Sequence, residues 1–75
     1  MKWFEIIAKN KEFEIIYETA YSAPTVSSGI AELKIKMEGW KNFINDVSIV
    51  EVKTEEEYLG YFVRNSSSQE FKWEW

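Results

Sequence analysis

The tetrapeptide FEII occurs twice near the start of the chain, at 4–7 and 13–16. Aromatic and β-branched residues dominate both copies, which suits the pleated, half-buried surface of a strand. Two copies are too few for a stacked repeat array, so they read as the two arms of one hairpin. Reversal at Asn10 and Lys11 sets Phe4 opposite Tyr17, Ile6 opposite Ile15 and Ala8 opposite Phe13. The two-residue period puts these six on one face. The other face receives Glu5, Lys9, Glu14 and Glu18 together with Trp3, Ile7 and Ile16. The hairpin therefore has one apolar face and one mixed face.

A lone hairpin is marginal in water, so the rest of the chain has to cover its apolar face. The middle of the sequence supports two readings. AELKIKME (31–38) alternates apolar and charged residues, a strand signature. Val26, Ile30, Leu33, Met37, Trp40 and Ile44 are spaced as an amphipathic helix stripe. Pro24 suits a first helical turn with Ser22 or Ala23 ahead of it. Gly39 suits a C-terminal cap, with Trp40 folding back on Ile35. We adopt the helix over 24–38, with a further turn around Lys41–Asn45. The strand reading gives an all-β small barrel instead.

VSIVEVK (47–53) is a strand with Ser48, Val50 and Val52 on one side and Val47, Ile49, Glu51 and Lys53 on the other. Thr54 and Glu57 have capping-box spacing, but the aromatic and β-branched YLGYFVR that follows favours a turn at 54–57 and a strand at 58–64. NSSSQ is a polar loop, and EFKWEW closes the chain as a last strand. The expected fold is α+β: one domain over residues 1–75, a five-stranded antiparallel sheet ordered β-β-α-β-β-β along the chain, with one helix on a face.

A domain of 75 residues buries only about 60% of its unfolded surface, and without cysteine it has no disulfide to compensate. Its 45% hydrophobic and 17% aromatic content supplies the core. Histidine is also absent. Missing both residue types excludes Ser-His-Asp and Cys-His nucleophiles, histidine acid–base work and nearly all transition-metal sites. The three glycines are scattered and form no phosphate loop. We expect no enzyme activity, no cofactor and no metal.

The net charge of −4 and the lack of a basic stripe argue against direct nucleic-acid binding, including a single-strand binder that stacks bases on aromatics. No apolar run reaches the roughly 18 residues of a membrane span, and MKWFEIIAKNKEFE soon gives way to charge, unlike a signal peptide. The expected location is cytoplasmic. Eight Lys against one Arg, and eight Ile against two Leu, are the bias of AT-rich codons. They suggest a low-GC bacterium, or a phage or mobile element within one.

Thirteen aromatics exceed what one helix and one sheet face hide. Trp3, Tyr58, Tyr61, Phe71, Trp73 and Trp75 are the candidate anchors for another protein, since Trp and Tyr dominate interface hot spots. Phe71, Trp73 and Trp75 also fit a second reading, as the strand that extends the core. Glu55, Glu56 and Glu57 form the densest charge run, either a solvated turn or a patch that steers a basic partner. The function expected is a non-enzymatic protein-binding module, in the setting of a phage or mobile-element inhibitor that occupies a host protein surface. The alternative is a homo-oligomer that buries its aromatic face against itself, with a structural or ligand-sequestering role.

Overall fold

The computed structural model describes residues 1–40, 46–65 and 70–74. The further helical turn expected at 41–45, Ile44 at the end of the helix stripe, and Trp75 lie outside them. Strands β1 (Lys2–Lys9) and β2 (Ile15–Ala23) are followed by helix α1 (Val26–Trp40) and by β3 (Ile49–Thr54), β4 (Tyr58–Arg64) and β5 (Phe71–Glu74). This is the expected order. The sheet is open, not a barrel, and its strands lie in the order β2-β1-β3-β4-β5. Every neighbouring pair is antiparallel. β2 and β3 thus run parallel on either side of β1, and α1 is the crossover between them.

β1 is central, and its alternation divides the molecule. Phe4, Ile6 and Ala8 are wholly buried beneath the helix, while Glu5, Ile7 and Lys9 on the other face stay partly exposed. Val50, Val52 and Phe62 continue the buried row. Leu33, Met37 and Trp40 of the helix complete the core. Val47 joins it too, not the opposite face expected from strand parity, because β3 begins only at Ile49 and the period does not extend back to Val47. Burying a side chain of this size stabilises by roughly 1.5–3 kcal/mol, so the row is the main source of stability in a chain without disulfides.

The helix begins and ends two residues later than the expected 24–38. Thr25 is its N-cap, not Ser22 or Ala23. Ser28 N donates to Thr25 Oγ1 at 3.1 Å, and Thr25 N donates to Ser28 Oγ at 3.1 Å, a reciprocal cap with serine in the usual Glu position. Gly39 lies within the helix and does not cap it. Trp40 packs edge-on against Tyr17, with ring centroids 5.1 Å apart, and leaves Ile35 exposed.

The buried positions of the helix are Gly29, Leu33, Met37 and Trp40, while Val26 and Ile30 of the expected stripe are only partly covered. Gly29 takes the inner position because the Phe4 ring lies against it. A Cβ at 29 would overlap that ring. Tyr21 stacks on Phe4 and donates from its hydroxyl to the Gly29 carbonyl at 2.6 Å, fixing the helix to β2.

The first hairpin has a different register from the expected one. Phe4 pairs with Tyr21, Ile6 with Thr19 and Ala8 with Tyr17. The turn is longer than two residues because Asn10 organises it. Asn10 Oδ1 accepts from Glu12 N at 3.0 Å and Glu14 N at 2.9 Å, and Phe13 adopts a φ of 64°. A bulge opposite Ala8 and Lys9 then adds one more residue to β2. Tyr17 keeps its expected face, but Ile15 pairs with Lys9 and turns to the other side, and Phe13 is an exposed turn residue.

Candidate functional site

The sheet face away from α1 is the candidate site. β1 contributes Trp3, Glu5, Ile7 and Lys9. β3 contributes Ile49, Glu51 and Lys53 between Lys9, Ile7 and Glu5 on one side and Val63, Tyr61 and Tyr58 of β4 on the other. No described helix covers this face. Trp3, Tyr58, Ile15 and Phe13 are about half exposed or more, and Ile7, Ile49 and Tyr61 are partly exposed.

Charges on the face are paired with each other. Lys9 Nζ lies 2.6 Å from Glu51 Oε1, and the Tyr58 hydroxyl donates to Glu51 Oε2 at 3.0 Å. Lys53 Nζ lies 3.3 Å from Glu5 Oε2, directly across the β1–β3 pair. The Lys9 hydrogen bond, aided by Tyr58 and Lys53, holds the Glu51 carboxyl below the usual carboxylate range. Burial, reinforced by the hydrogen bond to Glu51, pushes Tyr58 up to about 12. These contacts neutralise the middle of the face, so its chemistry is apolar and aromatic with satisfied polar groups.

Two shallow depressions mark the relief. One, about 330 Å³, lies between Lys9, Phe13, Ile49, Tyr58, Tyr61 and Val63. The other, about 450 Å³, lies over β1 and β2, where Ala20 leaves room between Glu5, Glu18 and Lys53. Both are open troughs that suit a protein surface better than an enclosed small molecule. Among the described residues, no group of three or more Asp or Glu is placed to hold a metal. No described helix is long and apolar enough to cross a membrane.

The candidate residues fall into two groups. Trp3, Tyr58 and Tyr61 lie on the open face. Glu55, Glu56 and Glu57 form an exposed turn at one end of it, and Trp3 borders a small hollow with Glu55 and Glu56. Thr54 fixes this turn by donating from its N to Glu57 O at 2.8 Å and by accepting from Glu56 N and Glu57 N at its hydroxyl. Phe71 and Trp73 lie on the helix side. Trp73 packs against Phe62 with centroids 4.8 Å apart and lies over Gly60. Gly60 has a φ of 150°, and a Cβ there would overlap the Glu74 carbonyl as well as the Trp73 ring. Phe71 lies beneath the Arg64 guanidinium. Both side chains therefore serve the core.

Sequence reasoning did not single out Lys9, Ile49, Glu51 and Val63 as site residues. Their strand parity was available for that purpose. Ile15 carried no such signal, because the bulge that turns it outward has no sequence mark. Comparison with protein-family models, curated proteins and solved structures finds no match to this chain.

Proposed function

We propose that this chain is a non-enzymatic protein-binding module that occupies a partner's surface with the open face of its sheet. The observation that carries the reading is a five-stranded sheet with a helix on one face only and an aromatic, apolar band on the other. Uncovered patches of this kind on small proteins mark interaction surfaces. Trp3, Tyr58 and Tyr61 are the anchors. The Glu55–Glu57 turn beside Trp3 and the net charge of −4 select a folded protein whose apolar docking patch has a basic rim. The AT-rich residue bias is what supports the proposed setting, a phage or mobile-element inhibitor of a host protein in a low-GC bacterium.

The test is affinity capture from a low-GC bacterial lysate with three baits: wild type, a Trp3→Ala/Tyr58→Ala/Tyr61→Ala variant, and a control altered on the helix surface at Ile35→Ala. The reading expects one host protein retained by wild type and by the control and lost from the open-face variant. Binding of the purified partner should weaken as salt rises. Retention by the folded open-face variant would overturn the reading.

A further inference from the structure

The two edges of the sheet are guarded unequally. β5 is four residues long and carries Lys72 and Glu74 among them. Short, charged edges resist pairing with other chains. β2 is the longer edge, nine residues with the sequence IIYETAYSA. It has no proline and no lysine, and Glu18 is its one charge. Its bulge lies near its start, so Tyr17 to Ala23 pair with β1 in unbroken register. No described strand covers its outer side.

Hydrogen bonds beyond the ladder show which backbone groups that edge presents. Asn10 N donates to Glu14 O at 3.0 Å, toward the β2 side, and Lys9 O accepts from Ser48 N at 2.9 Å, toward the β3 side. Successive residues of an antiparallel strand address opposite neighbours. Even-numbered residues of β1 therefore bond to β2, and their partners Tyr17, Thr19 and Tyr21 bond inward. Glu18, Ala20 and Ser22 turn their N–H and C=O groups out of the sheet.

We infer that two copies of this chain pair antiparallel through β2, about a two-fold axis at Thr19, to form one continuous ten-stranded sheet. Thr19 is the midpoint of the strand, so this register matches the stretch from Tyr17 to Tyr21, which is free of the bulge, in both copies. It also brings outward groups against outward groups, with Glu18 facing Ala20 of the second copy. Centring one residue earlier would set the two Glu18 carboxylates directly opposite, which is unfavourable. On the helix side the same register sets Thr19 against Thr19 and Tyr17 against Tyr21, pairings that stabilise sheets. The two open faces then lie side by side on one surface, which lets a symmetric partner engage both.

The test is sedimentation equilibrium of the purified chain alone, so its outcome is separate from partner binding. Wild type should sediment as a dimer. Ala20→Glu sets one carboxylate opposite each of the two Glu18 side chains and should weaken the dimer about tenfold, whereas Ala20→Lys supplies a counter-charge at each and should tighten it. Ala20→Pro removes an outward donor without costing a bond to β1, and should give a folded monomer. If the proline variant does not fold, the Glu and Lys pair decides alone. A monomeric wild type at millimolar concentration overturns the inference. So does a dimer indifferent to Ala20→Glu and Ala20→Lys, or one abolished only by Tyr58→Ala/Tyr61→Ala, which would locate the contact on the open face.

Discussion

The two faces of β1, β3 and β4 are made by alternate residues of the same backbone, yet they do different work. On the helix side Phe4, Ile6, Val50, Val52 and Phe62 are buried and carry no polar atoms, and the helix is brought down until its backbone meets a ring at Gly29. On the open side Trp3, Ile7, Ile49, Tyr61 and Val63 remain accessible, and every charge in the middle has a partner within the face. Tight packing is what makes the first face specify the fold. The second face keeps apolar area that the fold does not consume.

Substitutions can break this contrast, beginning with the buried row. Phe4→Ala removes the ring that holds β1, Tyr21 and Gly29 together and should cost about 3–5 kcal/mol in urea unfolding. A domain of this size holds only about 5–15 kcal/mol, so the variant should be largely unfolded at modest temperature. Gly29→Ala is the sharper probe of close approach. Helix propensity favours alanine by about 1 kcal/mol, yet the overlap with Phe4 should leave the variant less stable by about 1–3 kcal/mol. A stabilised Gly29→Ala would show that the helix has room to move off the sheet. Thr25→Ala removes the N-cap and should cost about 1 kcal/mol, read from the same unfolding curves.

Alkaline titration reports on both faces at once. Burial, with Glu32 nearby, pushes Tyr21 up to about 12 on the helix side, and burial with the Glu51 bond does the same to Tyr58 on the open side. The folded value lies above the ordinary value of 10.0, so the stabilisation is complete below pH 10 and is lost as pH rises through 12. Phenolate absorbance should show two tyrosines ionising late, and Tyr58→Phe should remove one of them. The smallest single stability effects belong to Trp3→Ala, Tyr58→Ala and Tyr61→Ala, each expected to cost below about 1 kcal/mol, while the three together should abolish partner binding.

Much of the fold was legible because strand period and turn chemistry agreed along the chain. Val50 and Val52 facing inward, the Thr54–Glu57 turn and the strand from Tyr58 follow from local pattern alone. The register of β2 did not, because it depends on one Asn10 side chain accepting two N–H groups and on a bulge. The helix stripe was read from large apolar residues, so it missed Gly29, whose contribution is the absence of a side chain. In the candidate site, Trp3, Tyr58 and Tyr61 were recognisable as excess aromatics on strands. Phe71 and Trp73 were not separable from them, because strand pattern does not show that Trp73 lies over Gly60 and against Phe62.

The most direct measurement is an amide NMR map of the labelled chain titrated with its captured partner. The account expects shifts confined to Trp3, Ile7, Lys9, Ile49, Glu51, Tyr58 and Tyr61 and to the turn at 55–57, with the amides of α1 unchanged. A footprint on α1 or along β5, with the open face silent, would contradict it.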